Sequence, residues 1–374
     1  MACLSDPIAG CGVSSRVASP DRSRISWVSQ RLAWLVSQVA RLVPLPLAYW
    51  LADRCGDLVY LLLKTYRRNV QHNVALALGP GADAQEVRRV ARRVFRNSAR
   101  NFIDLLRVPH LSPDELIRSI QVCQESWAEF ERLAASGQGA VIVTAHLGPF
   151  DYVGQLLSAR GYRFTSLTTR TVPEFLDAAV NYLRTSRGLR IERATPGGIR
   201  RVILALRRGE LVGLAADRDF FQNGWPVIFF GKETTLPPGP VRLARSAGVP
   251  ILAAFTRRLK RGYQLLIEPP FYIERTDDAA RDLRSGLQRL IELFERHIRE
   301  APDQWVIFQR VWPECPAPVL RVFPVGSPLE GELLGWGADP ARPLTEPLVS
   351  PTDRMDRHPR FGPESVPQPA EPPG

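Results

Sequence analysis

The chain has 374 residues, 45% of them hydrophobic, so it can bury the core of one large domain or two modest ones and is no small stapled scaffold. Its net charge of +11 hides an asymmetry, because residues 313–374 carry −4 and leave +15 on the residues before them. Five cysteines without a C-x-x-C spacing argue against a disulfide framework or a zinc site, and point to a reduced, cytosol-facing protein. The basic body suits nucleic acid, an anionic membrane face or phosphate-bearing substrates, and charge alone does not choose among them.

In chain order, residues 1–25 read as a disordered leader, since Arg16, Asp21, Arg22 and Arg24 interrupt any apolar stretch of the secretory kind. Residues 26–110 form the next unit, helical and suited to a membrane interface. Leu32, Leu35, Val36, Val39, Leu42 and Val43 fall at helical spacing, and Trp27, Trp34, Tyr49 and Trp50 add aromatics that favour a boundary of water and lipid. Pro44 and Pro46 interrupt the stretch, and its uncharged run is too short for a spanning helix of roughly 20 residues. The same apolar stripe is also what a helix packed on the core would show. Asp83 with Glu86 then reads as a capping-box start, and Val87, Val90, Ala91, Val94, Phe95, Phe102 and Leu105 mark one face of a long helix. Its other side carries Arg88, Arg89, Arg92, Arg93, Arg96 and Arg100, expected either as a solvated face or as an attraction toward anionic lipid.

Residues 111–312 read as an α/β domain with a largely parallel, two-sided sheet. Strands are expected at 140–144, 164–168, 211–216, 251–256 and 263–268, and helices at 152–159, 174–187, 199–208, 240–247 and 279–299. The last helix shows Leu283, Leu287, Leu290, Ile291, Phe294 and Ile298 on one face. Residues 313–374 hold nearly half of the 33 prolines, are acidic and aperiodic, and read as a disordered tail.

The residues that bear chemistry lie at strand ends. The apolar run 140–143 feeds His146-Leu-Gly-Pro-Phe-Asp151, which reads as a strand, a tight Gly148-Pro149 turn and a helix opening at Asp151. An acid five residues on, across the turn, can fix the imidazole tautomer and leave the other ring nitrogen free to take a proton from a hydroxyl. In open α/β sheets the crevice lies beyond the carboxyl ends of the strands, so Asp217, Arg218 and Asp219, after another strand, should share a site with His146.

The segments VTAHLGPFD (143–151), LAADRDFFQNGWPVIFFGKETTLPPGPVRLARSAGVPI (214–251) and the closing DQW (303–305) resemble the lipid A biosynthesis acyltransferase family. That family includes phosphatidylinositol mannoside acyltransferases and lies within the wider glycerolipid (lysophospholipid) acyltransferase superfamily. The resemblance runs from about Trp27 to Trp312 and takes in RRNVQHNVALALG (67–79) and RNSARNFIDLLR (96–107). It implies the HX4D chemistry of a membrane-associated O-acyltransferase: an acyl chain passes from acyl-CoA or acyl-acyl carrier protein to a hydroxyl of a glycolipid or phospholipid, at the cytoplasmic face of the inner membrane. His146 is then the general base and Asp151 its orienting acid. Arg170 matches a family arginine expected to bind donor phosphate or steady the oxyanion. Asp217 and Asp219 are expected to organise their loop, Arg218 to meet an anionic head group, and Arg242 to add positive charge near the site. Neither a metal nor a bound cofactor is implied. Phe229 and Phe230 are expected to wall an acyl groove, unless they are core. The DRD at 217–219 departs from the family's more usual D-Q-D and leans toward the mannoside acyltransferases.

Three rival classes follow from the same residues. A nucleic-acid-binding protein would use the basic surface, but aromatics are not interleaved with the basic residues as stacking platforms. A silent membrane scaffold would need a broken His/Asp pair. A metal-dependent hydrolase would have to use His146, Asp151, Asp217 and Asp219, with a single histidine among them.

Overall fold

The computed structural model describes residues 22–169 and 174–313. The expected leader up to residue 21, the tail from 314 and Arg170 lie outside them. The chain begins with a helical layer of α1 (Arg22–Leu42), α2 (Leu45–Leu62), α3 (Lys64–Leu78) and α4 (Ala84–Arg107), followed by a short turn at Val108–His110. It continues through α5 (Pro113–Ser119), β1 (Ile120–Val122), α6 (Gln124–Ala135), β2 (Ala140–Thr144), α7 (Asp151–Ala159), β3 (Phe164–Thr168), α8 (Glu174–Thr185) and β4 (Arg190–Arg193). Then come α9 (Pro196–Arg207), β5 (Leu211–Ala215), a hairpin of β6 (Trp225–Phe229) and β7 (Lys232–Leu236), α10 (Gly239–Ala247), β8 (Ile251–Arg258), β9 (Tyr263–Ile267) and α11 (Ala279–Glu300).

The main sheet runs β1-β9-β8-β2-β5-β3-β4. Its five strands from β8 to β4 are mutually parallel, and β9 turns back antiparallel to β8. This is the α/β class with a mostly parallel sheet flanked by helices. Alternation along β2 feeds both faces: Val141 and Val143 join the core under α9, α10 and α11, while Ala140 and Ile142 join the core under α6, α7 and α8. The strand is buried throughout, which is why its sequence is a continuous apolar run.

In the helical layer the Asp83 side chain caps α4, accepting the Gln85 and Glu86 N–H groups at 2.7 Å each. Helices α2 and α4 lie backbone to backbone at Gly56, where a β-carbon would stand 2.8 Å from the Arg96 Cα. Four of the six arginines on the outer side of α4 are paired with acids, while Arg88 and Arg89 stay exposed. Arg92 and Arg96 bond Asp57 of α2 at 2.6 and 2.7 Å, Arg100 grips Asp53 at 2.6 and 2.7 Å, and Arg93 lies 3.4 Å from Asp303. The reason is compositional: α2 carries two acids on the side that meets α4, and they need cations there. What α2 shows to the outside is largely apolar, including Leu47, Trp50, Leu51, Leu58, Leu61 and Leu62.

Helix α1 inverts the usual arrangement. It buries the small residues Ser29, Ala33, Ser37 and Ala40 against its neighbours α8 and α4, and exposes Trp27, Leu32, Trp34, Leu35, Val36, Val39 and Leu42. The alternative of an apolar stripe packed on the core is therefore overturned for most of this stripe. Among the described residues no helix is long and apolar enough to cross a membrane.

Candidate active site

Strands β2 and β5 pair in register, with Thr144 opposite Ala215. Two residues beyond that pair on each strand come His146 and Asp217, so the parallel register itself sets them side by side at the carboxyl end of the sheet. The His146 Nδ1 lies 2.7 Å from Asp217 Oδ1, and the His146 backbone N–H donates to Asp217 Oδ2 at 2.8 Å. The Trp305 indole N–H donates to the same Oδ2 at 2.9 Å. Burial by itself would push the fully buried Asp217 carboxyl up. The charge of His146 and the three N–H donors outweigh it and hold the carboxyl below its ordinary value. A carboxylate facing Nδ1 fixes the proton there in the neutral ring and makes Nε2 the basic nitrogen. The imidazole keeps 26% of its side-chain surface exposed, and Phe150 lies edge-on to it at 4.9 Å between ring centres.

The acid that meets the imidazole is thus Asp217, where the sequence pointed to Asp151. Asp151 opens α7, and both of its oxygens accept from the Arg184 guanidinium of α8, at 2.7 and 3.2 Å. Proximity along the chain favoured Asp151, but a helix start turns a side chain by its own geometry, whereas adjacent parallel strands bring their following residues together. Asp219 is used within its loop, accepting from Asn223 N at 3.2 Å, Gly224 N at 2.8 Å and the Thr235 hydroxyl at 2.7 Å. With Asp151 and Asp219 so engaged, the four-residue donor set of the metal-hydrolase alternative does not converge, and among the described residues no group of three or more His, Cys, Asp or Glu is placed to hold a metal ion.

Arg218 bonds the Gln309 side chain and sits over the Phe220 ring at 5.1 Å, and burial depresses its guanidinium pKa. Arg242, exposed on α10, stacks over Trp225 at 5.2 Å. Phe229 and Phe230 are core: both are buried, with Phe229 stacked on Trp312 at 5.5 Å and Phe230 at 6.1 Å from Trp305. The expected acyl-groove wall is not theirs. Phe220 and Phe221, exposed beside Arg218, lie on the loop after β5 instead.

Sequence reasoning passed over four residues that hold this site. Trp305 steadies Asp217, Arg184 holds Asp151, and the backbone of Gln304 and Val306 grips the His146 turn, with Gly148 N–H on Gln304 O and Val306 N–H on His146 O, both at 2.8 Å. The DQW segment was visible as a mark of resemblance. Its physical task, closing over the His146 turn, appears only in three dimensions.

With this geometry in view, comparison with known proteins gives one consistent answer. The family described as bacterial lipid A biosynthesis acyltransferase matches residues 21–314. Over 213 residues the chain is 28% identical to a phosphatidylinositol mannoside acyltransferase of Mycobacterium tuberculosis, a match that covers 56% of this chain and 66% of that protein. It is 27% identical over 250 residues to the enzyme of the same name from Mycolicibacterium smegmatis, covering 65% of this chain and 78% of the relative. The lipid A biosynthesis palmitoleoyltransferase of Escherichia coli (strain K12) is 22% identical over 306 residues, covering 80% of this chain and 94% of the relative.

Proposed function

The chain belongs to the bacterial lipid A biosynthesis acyltransferase family, and on that premise we propose that it moves a fatty acyl chain from acyl-CoA or acyl-acyl carrier protein to a hydroxyl of a glycolipid or phospholipid, with His146 as general base. The acceptor is a lipid A precursor or a mannosylated phosphatidylinositol, and the mycobacterial relatives favour the second. The observation that carries the reading is the His146–Asp217 pair, 2.7 Å apart, at a strand end with the imidazole still open to solvent.

In the forward step, Nε2 takes the proton of the acceptor hydroxyl as its oxygen attacks the thioester carbonyl. The imidazolium so formed is stabilised by the Asp217 carboxylate. The tetrahedral oxyanion collapses, the C–S bond breaks, and the departing thiolate recovers the proton from Nε2. The products are an ester and a free thiol, and no acyl-enzyme is needed because the thioester is already activated. Arg218 meets an anionic head group through charge-assisted bonds, and Arg170 and Arg242 serve donor phosphate and local positive potential. The inverted face of α1 and the outer face of α2 rest on an anionic membrane at its cytoplasmic side, which is where a thioester donor is available.

The test is transfer of palmitate from palmitoyl-CoA to a purified phosphatidylinositol mannoside. His146→Ala removes the base and lowers kcat at least a thousandfold. Asp217→Asn leaves the ring but lets it adopt the wrong tautomer, lowering kcat by about 10²–10⁴. Asp151→Asn, which loosens only the contact with Arg184, costs less than Asp217→Asn. Wild-type turnover by His146→Ala removes the base assignment, and a larger loss in Asp151→Asn than in Asp217→Asn returns the orienting role to Asp151.

A further inference from the structure

The turn that carries His146 is held at successive backbone groups. His146 N–H goes to Asp217 and His146 O receives the Val306 N–H. Leu147 O accepts the Thr256 hydroxyl at 3.3 Å, Gly148 N–H reaches Gln304 O, and Gly148 O accepts the Asn101 side-chain amide at 2.7 Å. The last of these is unlike the rest, because Asn101 belongs to α4 in the helical layer.

Asn101 is engaged at both ends of its amide. Its nitrogen donates to Gly148 O, and its oxygen accepts from the Arg258 guanidinium at 2.7 Å. Arg258 stands at the end of β8 with 7% of its side chain exposed, paired with the buried Asp104 and donating to the Tyr49 hydroxyl at 2.8 Å. Tyr49 in turn donates to Asp104 at 2.5 Å. The guanidinium therefore fixes which way the Asn101 amide faces, and that direction fixes a donor on Gly148 O. The turn has little slack elsewhere. Gly148 sits at φ +58° with a β-carbon position only 2.3 Å from Thr256 O, so the backbone lies directly on β8. The next residue is Pro149, whose ring fixes its φ, so the Gly148 carbonyl can shift only together with the turn, and the Asn101 bond opposes that shift.

Resting on the acyl-transfer reading of the site, we propose that Asn101, aimed by Arg258, is a positioning residue that locks the Gly148 carbonyl and thereby sets the reach of His146 toward the acceptor hydroxyl. An aspartate at 101 still accepts from Arg258 but confronts Gly148 O with a second acceptor. It removes the positioning bond while keeping shape and the arginine contact, and the charge it adds faces the Arg258 guanidinium.

The experiment measures kcat, KM for palmitoyl-CoA and thermal midpoint for Asn101→Asp, Arg258→Lys and His146→Ala with a phosphatidylinositol mannoside acceptor. Displacement of a catalytic group by about 1 Å costs on the order of 10²-fold. Asn101→Asp is therefore expected to lower kcat by about ten- to a hundredfold with KM within about twofold of wild type and little change in thermal midpoint. Arg258→Lys, which cannot span Asn101, Asp104 and Tyr49 with one ammonium, lowers kcat as well and also lowers the thermal midpoint, because a buried partner loses its bond. Wild-type kcat in Asn101→Asp beside a dead His146→Ala overturns the inference and leaves the acyl-transfer reading standing. Full activity in His146→Ala defeats that reading and this inference with it. Losses of kcat in both positioning variants that merely follow a fall in thermal midpoint make the network structural and overturn the proposal.

Discussion

Helices α1 and α11 carry the same kind of apolar stripe and meet opposite fates. In α11 the residues Leu283, Leu287, Leu290, Ile291, Phe294 and Ile298 are at most 8% exposed, because the stripe closes one face of the sheet together with α10. In α1 the stripe of Leu32, Leu35, Val36, Val39 and Leu42 is 49% to 80% exposed. Helical spacing announces an apolar face in both. What separates them is the opposite face: α11 turns charged residues outward, whereas α1 offers Ser29, Ala33, Ser37 and Ala40 for close approach to its neighbours and leaves its bulk outside. Small residues inward and large ones outward are the arrangement on which the proposed membrane contact of α1 rests.

The largest stability effect expected from this contrast lies in α11. Phe294 is fully buried and its ring meets Phe255 edge-on at 6.1 Å. Phe294→Ala should cost about 3–5 kcal/mol through lost transfer energy and the cavity left behind. Urea unfolding checks it. A cost below about 1 kcal/mol would mean that α11 is not the closed counterpart of α1.

An intermediate effect lies where the helical layer is held by charge. Hydrogen bonding to Arg96 outweighs burial and, with Arg92, holds the Asp57 carboxyl well below its ordinary 3.8. A folded-state pKa below the unfolded one means that this stability is fully present above the ordinary carboxylate range and is lost as pH falls below it. Asp57→Asn should cost about 2–3 kcal/mol at pH 7, less than a fully buried pair because Arg92 is half exposed. The difference between mutant and wild type should shrink toward pH 3. A cost that stays constant between pH 7 and pH 3 would show that shape rather than charge seats α2 on α4.

How much of this was legible in the chain follows the same physics. Strands β2, β3, β5, β8 and β9 announced themselves because burial from both faces or a clear apolar run leaves little ambiguity. The short edge strands β1 and β4 did not: Arg190–Arg193 reads RIER, whose charges protect an exposed edge and disguise a strand. The β6–β7 hairpin hid behind Pro226 and an exposed alternate face. At the site, His146 was legible from the strand and turn around it. Its partner was not, since Asp151 lies five residues away in sequence and Asp217 lies 71 away, and only the register of β2 on β5 makes the distant residue the neighbour. Asn101 and Trp305 stood in segments already marked by resemblance, without a role until the turn they grip was seen.

The smallest stability effect belongs to α1 and bears most directly on the comparison. Leu35 and Val39 stand one helical turn apart on the exposed stripe, so Leu35→Ser with Val39→Ser removes apolar surface that touches little protein. Unfolding free energy should change by no more than about 0.5 kcal/mol per substitution. Each of the two side chains, once inserted at an interface, contributes roughly 1–3 kcal/mol of transfer energy, so partition onto phosphatidylglycerol vesicles should fall at least about tenfold. Cosedimentation at low and high salt separates this apolar part from the attraction of Arg31 and Arg41, because salt screens only the latter. Undiminished vesicle binding by the double variant would assign the membrane contact to another surface. A stability loss above about 2 kcal/mol would mean that protein, not lipid, covers the stripe, and α1 and α11 would then differ only in which partner closes over them.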